Sequence, residues 1–157
     1  YQAELKLHEK FSKLLNITNK ERENFIPAPN AYAYTSHLYR AAHNGHLGDI
    51  IAAILPCYWL YHEIGQRFKG AKPDEPIYQE WIQTYGTEWF KELVEEQIER
   101  LDTIADQLNE EDKDRLKEHF LISSYYELHF CEMAYTMEKW DIPSRLQITQ
   151  AETGGVK

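Results

Sequence analysis

An all-α helix bundle is the fold this sequence predicts, and three observations predict it. No segment alternates apolar and polar residues with period two, so no sheet is expected. Apolar residues recur instead at three- and four-residue spacing, in stretches bounded by capping residues, proline or glycine. One stretch, LGDIIAAILPCYWLYHEIGQRF from Leu47 to Phe68, is apolar on nearly every side for its first half. That pattern marks a helix buried among other helices. With 157 residues and 43% hydrophobic content the chain can enclose one core, which 11 Tyr, 6 Phe and 4 Trp make bulky.

The elements follow in order. Tyr1 to Leu15 reads as a helix already under way, carrying Leu5, Phe11, Leu14 and Leu15 among lysines and glutamates. Thr18 followed by Glu21 has the capping-box pattern and predicts a short helix, which Pro27 and Pro29 end. Asn30 is the expected cap of the next helix, which closes at Asn44-Gly45 and shares Tyr34, Leu38, Ala41 and Ala42 along one face. The Leu47 helix comes directly after. GAKPDEP, from Gly70 to Pro76, is a loop in which Asp74 is placed to cap a short helix carrying Ile77, Tyr78, Trp81 and Ile82. Tyr85-Gly86 interrupts it, and Thr87 can start the next. From Glu88 to Leu108 an apolar stripe of Phe90, Val94, Ile98, Leu101, Ile104 and Leu108 faces away from most of the glutamates. Asn109 caps a last long helix expected to run to about Trp140, before Pro143. Residues 1–142 therefore form a single domain and residues 143–157, ending AETGGVK, a mobile tail.

A net charge of -9 with no basic block argues against nucleic acid or an anionic membrane as partner. No apolar run reaches the length of a membrane span and no secretory signal pattern is present. The 2 cysteines lie in unrelated segments, which suits thiols in a reducing cytoplasm better than a disulfide framework. His37, His43 and His46 lack metal-ligand spacing and read as surface or capping residues.

Two helical faces carry chemistry. Around Cys57 the helical period gathers Ile50, Ala53, Ile54, Leu60, Tyr61 and Ile64, and Pro56 inside the helix removes an amide donor and is expected to kink it. A small nucleophile with a tyrosine one turn on resembles a pocket wall, although a cysteine on an apolar face also serves as a plain core residue. In the last helix Glu127 sits among Phe120, Ser123, Ser124, Phe130, Cys131 and Ala134. A carboxylate there either reaches water at an edge or is buried, and burial would raise its pKa and suit it to proton transfer near neutrality. Ser123 and Ser124 are weak candidates to hydrogen-bond it, Tyr126 and Cys131 read as core packing, and His62 and Glu63 face away from Cys57.

PCYWLYHEIG followed further on by SSYYELHFCEMAY resembles the TenA, or thiaminase II, family over almost the whole chain to Trp140. The resemblance implies a haem-oxygenase-like helix bundle, here without its first helices. It implies Cys57 as nucleophile and Glu127 as acid/base carboxylate. Tyr34 and Tyr61 match tyrosines lining the family's pyrimidine pocket, and Tyr85 and Phe130 are assigned the same role. The implied reaction is hydrolysis at the methylene of an aminopyrimidine, either thiamin or the aminomethylpyrimidine left by its degradation, releasing hydroxymethylpyrimidine for thiamin salvage. No metal or organic cofactor is implied, the partner is the small-molecule substrate, and members are commonly homotetramers.

The family also uses an upstream aspartate to hold the pyrimidine edge, and no residue of this sequence matches it. Asp49 is no substitute, lying about two turns before Cys57. The chain as written is thus expected to carry the nucleophile and the acid/base without the substrate anchor. A second reading follows from that gap: a TenA-like bundle that binds a heterocycle or assembles with partners without turnover. A third, a haem or quinone-cofactor enzyme on the same fold, lacks a proximal histidine facing the pocket.

Overall fold

The computed structural model describes residues 2–142 of the chain. Among them are seven helices and no strand: α1 (Gln2–Leu14), α2 (Asn19–Glu23), α3 (Pro29–Asn44), α4 (Leu47–Arg67), α5 (Pro76–Tyr85), α6 (Glu88–Ala105) and α7 (Glu110–Thr136). The expected tail, 143–157, and Tyr1 lie outside the described residues.

Helix starts follow short-range hydrogen bonds. Thr18 and Glu21 form the capping box reciprocally, the Thr18 amide donating to Glu21 Oε2 at 2.7 Å and the Glu21 amide to Thr18 Oγ1 at 3.2 Å. Thr87 Oγ1 accepts from the Phe90 amide at 3.1 Å, and Asn109 Oδ1 from the Asp112 amide at 2.9 Å. Two expected caps are displaced. Helix α3 starts at Pro29 with Ala28 as its cap, and Asn30 lies inside the first turn. Helix α5 starts at Pro76 with Glu75, not Asp74, at the cap. In both, proline occupies the first helical position, where its missing N–H has no partner to lose, so the ring rather than a polar cap fixes the start.

The last helix ends earlier than expected, at Thr136, where Met137 adopts the left-handed conformation with φ 55°. The Glu138 amide closes the turn on Met133 O at 3.0 Å. The chain then returns to α3. Trp140 Nε1 donates to Pro27 O at 2.8 Å, and the Asn30 amide donates to Glu138 Oε2 at 2.9 Å.

Helix α4 is the hub, packing against α3, α5, α6 and α7. Its start is locked by Asp49, fully buried, which accepts from the His46 amide at 2.7 Å and from Arg115 Nε of α7 at 2.8 Å. Its buried residues include Ile51, Ala52, Leu55 and His62, on the side away from Cys57. Leu55 joins Leu7, Tyr85, Phe90 and Val94 in the core. The Cys57 side is covered less: Ile50, Ile54, Leu60, Tyr61 and Ile64 are half-buried. A groove of about 340 Å³ runs along Leu38, Ile50 and Ile54, and another of about 510 Å³ along Ile64, Trp81 and Ile82.

Near its other end α4 touches the α5–α6 junction backbone to backbone. A Cβ on Gly65 would stand 2.6 Å from the Tyr85 carbonyl carbon and 2.7 Å from the Gly86 nitrogen. Only glycine permits that approach. His62 Nδ1 lies 3.3 Å from Tyr85 O, and Gln66 Nε2 donates to Gly86 O at 3.2 Å. Tyr85 is thereby fixed relative to Cys57 by the helix that carries Cys57.

Candidate active site

Four helices converge on the Cys57 side chain. From α7 comes Glu127, 3% exposed, the only buried Asp or Glu besides Asp49 among the described residues. From α3 comes Tyr34, buried, whose hydroxyl donates to Glu127 Oε1 at 2.7 Å. From α4 itself comes Tyr61, half-buried, and from α5 comes Tyr85, 4% exposed. The edge reading of Glu127 is thus excluded: the carboxylate is inside and hydrogen-bonded, as a buried carboxylate must be.

The aromatic residues form a continuous wall. Tyr61 meets Trp81 edge-on with ring centroids 5.4 Å apart, and Tyr85 at 5.2 Å. Trp81 and Tyr85 lie 4.7 Å apart, and Tyr85 meets Phe90 edge-on at 4.9 Å. On the other flank Tyr126 stacks on Tyr34 at 5.5 Å with an interplanar angle of 19°. Such offset and edge arrangements suit the ring quadrupoles and make a stiff surface.

Electrostatics couple these groups. Burial, then the Glu127 charge and its hydrogen-bonding reach, push the Cys57 thiol well above its ordinary range. Burial first and Glu127 second do the same to the Tyr34 phenol. Tyr61 is raised by burial, then by Cys57 and Glu127, and Tyr85 by burial, then by Glu4 and Cys57. In the resting protein the nucleophile candidate is therefore a thiol beside a carboxylate, an arrangement that can move a proton between sulfur and oxygen as a bond forms at sulfur.

Of the residues the sequence singled out, Cys57, Glu127, Tyr34, Tyr61 and Tyr85 are brought together. Phe130 is half-buried one turn beyond Glu127, related to the group by helix register. Cys131 is exposed, contrary to the core packing expected of it. Ser123 is fully buried, yet its Oγ makes no hydrogen bond, so the expected bond to Glu127 is not made; Ser124 Oγ donates to Phe120 O at 2.8 Å instead. Asp49 is occupied with Arg115 and the His46 amide, which agrees with its exclusion from the site.

The model of the TENA/THI-4/PQQC family matches residues 1–137. The chain belongs to that family. It is 51% identical over 140 residues to the aminopyrimidine aminohydrolase of Bacillus subtilis, covering 89% of this chain and 59% of the relative. It is 41% identical over 141 residues to the aminopyrimidine aminohydrolase of Halalkalibacterium halodurans, covering 88% of this chain and 63% of the relative. The chain thus spans about three-fifths of the length of the curated relatives it matches. Among solved structures, the TenA homologue protein from P. horikoshii OT3 superposes with a TM-score of 0.72 at 30% identity, covering 85% of this chain and 62% of that one. The fold is the haem-oxygenase-like all-α bundle of the TenA proteins. Among the described residues, no helix is long and apolar enough to cross a membrane, and no group of three or more His, Cys, Asp or Glu is placed to hold a metal ion.

Sequence reasoning missed several neighbours of the site in this TenA-family chain. Tyr126 reads as core packing and Trp81 only as an apolar position of its helix, but each braces a site tyrosine.

Proposed function

We propose that this chain carries the nucleophile and the acid/base of an aminopyrimidine hydrolase of thiamin salvage, acting on aminomethylpyrimidine or on thiamin and releasing hydroxymethylpyrimidine. The observation that carries the reading is the Tyr34–Glu127 hydrogen bond beside Cys57, with aromatic walls on either flank. The names of the relatives, aminopyrimidine aminohydrolases at 51% and 41% identity, support the substrate class.

In this reading Cys57 Sγ bonds to a ring carbon adjacent to the one bearing the methylene, and the thiol proton passes to Glu127. The ring double bond shifts to the exocyclic carbon and the carbon–nitrogen bond breaks; with aminomethylpyrimidine the leaving amine takes the proton from Glu127 and departs as ammonia, and with thiamin the thiazole departs as a neutral ring without it. Water then adds to the exocyclic methylene and gives a proton to Glu127. The double bond returns to the ring, the carbon–sulfur bond breaks, and the sulfur recovers that proton. Tyr34 holds the carboxylate in place through both halves. Tyr61, Tyr85 and Phe130 stack on the flat heterocycle and exclude water. No cofactor enters the scheme. A cytoplasmic homotetramer is part of the same proposal.

The test is release of hydroxymethylpyrimidine and ammonia from aminomethylpyrimidine by the protein, its Cys57→Ser variant and its Glu127→Gln variant. Loss of product in both variants, with ligand binding kept within about tenfold, is the expected result. Binding without product by the unaltered protein would replace this reading with that of a ligand-holding bundle.

A further inference from the structure

A groove of about 330 Å³ between α4 and α7 has Glu127 in its lining, together with Trp59, Leu60 and Glu63 of α4 and Phe120 of α7. Helical register places Leu60 between Cys57 and the pair Trp59 and Glu63, so the groove opens beside the nucleophile and runs round α4 away from it. Its walls are aromatic: Trp59 and Phe120 meet edge-on with ring centroids 6.2 Å apart. At the rim Trp59, 39% exposed, donates from Nε1 to Glu63 Oε1 at 3.2 Å. That bond fixes the indole and sets a carboxylate beside it. Glu63, which faces away from Cys57, has its place here.

We propose that this groove is the leaving-group subsite of the candidate active site, and that it takes a flat heteroaromatic cation joined to the substrate's methylene through a ring nitrogen. This rests on the hydrolase reading above for the identity of the site and adds the substrate class: thiamin, whose thiazolium fits that description, is favoured over aminomethylpyrimidine.

Glu127 decides the placement. In the proposed reaction it acts at the Cys57 sulfur and at the exocyclic methylene, so the methylene lies against it. Tyr34, Tyr61 and Tyr85 take the pyrimidine, and none of them lines the groove. The substituent on the methylene is left the side where the groove begins. An aromatic cation there meets the electron-rich face of Trp59 and the ring of Phe120. Glu63 and Glu127 add negative charge, each accepting from a neutral donor, Trp59 and Tyr34, that does not cancel it. Among the described residues no basic side chain lines the groove. An ammonium on the same methylene is too small to reach the indole.

Cleavage reverses the attraction. The carbon–nitrogen bonding pair stays with the ring nitrogen, so the thiazolium becomes a neutral thiazole and loses the charge that held it between Trp59 and Glu63. It leaves through the exposed rim. Glu127, still carrying the thiol proton, gives it to solvent through the vacated groove and is again a base for the water that adds to the methylene.

The experiment uses the full chain with Cys57→Ser, so that binding is read without turnover. Calorimetric affinities for thiamin and for aminomethylpyrimidine are compared in this parent, in Trp59→Ala and in Glu63→Gln. Trp59→Ala should weaken thiamin about tenfold and Glu63→Gln about threefold, with aminomethylpyrimidine changed less than about twofold by either. N-methylthiazolium alone should shift the Trp59 indole N–H resonance, identified by its absence in Trp59→Phe. Equal losses for the two pyrimidines, or thiamin binding indifferent to both substitutions, would overturn the proposal. If Trp59→Ala does not fold, Glu63→Gln, at an exposed position, carries the comparison. Failure of the hydrolase reading has a separate signature. Absence of product from the unaltered protein, with the binding pattern intact, removes that reading and leaves the groove as a cation subsite. If neither pyrimidine binds, N-methylthiazolium decides: a shifted Trp59 resonance supports the subsite and an unmoved one overturns it.

Discussion

The Tyr34 hydroxyl and the Glu127 carboxylate are joined across 2.7 Å between α3 and α7, both side chains buried, at the point where α4 presents Cys57. A neutral donor to a buried carboxylate has two consequences: it holds the group in one orientation, and its loss leaves an acceptor without its partner. Tyr34→Phe should therefore cost about 1–3 kcal/mol of stability, read as a lowered midpoint in urea with an unchanged slope. In the proposed reaction it should lower kcat more than it raises KM. A stability change near zero would mean that water or another donor replaces the phenol.

The two thiols should react in the order opposite to the one their motifs suggest. A pocket nucleophile is expected to be labelled before a packing cysteine, but Cys131 is exposed while Cys57 is half-buried and its thiol is pushed up by burial and Glu127. One equivalent of iodoacetamide at neutral pH should label Cys131 first, and Cys57 should follow only as the solution is made strongly alkaline. Peptide mapping by mass spectrometry checks the order. Cys57 labelled first would mean that its thiolate is stabilised by a group the carboxylates do not outweigh.

How much of this was legible in the sequence depended on whether the deciding interaction was local. Thr18–Glu21, Thr87 and Asn109 lie within one turn of the amides they cap, and each was readable. Glu127 was readable as an anomaly because a helical face is a local pattern. Met137 was not: a left-handed cap usually needs glycine, and the strain there is accepted where Trp140 and Glu138 reach back to α3. Cys131 was misread for a related reason. It shares a face with Phe120, Ser124 and Glu127, yet lies in the last two turns of its helix and is exposed.

Asp49 should set part of the acid limit of the fold. Burial raises its pKa, but Arg115, the His46 amide and His119 hold it below its ordinary value of 3.8 on balance. Because the folded value is depressed, the contribution is present above the unfolded value and disappears as pH falls through the folded one. Removing the carboxylate with Asp49→Ala leaves the His46 amide without its acceptor and should cost about 1–3 kcal/mol at neutral pH. The variant's urea midpoint should also be flatter than the parent's below pH 3.8. Parallel midpoint-against-pH curves for the two proteins would show that Asp49 does not titrate with unfolding.

Gly65 tests whether the site depends on the backbone contact that fixes Tyr85. A methyl at that position would meet Tyr85 C, Tyr85 O and Gly86 N, all within 2.9 Å, and none belongs to a side chain able to rotate away. The helices must therefore separate, which overpacking measurements put at about 1–3 kcal/mol. The displacement has a direction, because His62 and Gln66 bond to Tyr85 O and Gly86 O from the same stretch of α4. Gly65→Ala should thus shift Tyr85 against Tyr61 and Trp81 while leaving the Tyr34–Glu127 bond on the far flank in place. The expected signature is a lowered urea midpoint with a changed near-ultraviolet aromatic signal, and a rise in KM larger than the loss in kcat. Equal stability and an unchanged aromatic signal would show that α4 and the α5–α6 junction can part without moving Tyr85, and that the tyrosine is held by its ring neighbours alone.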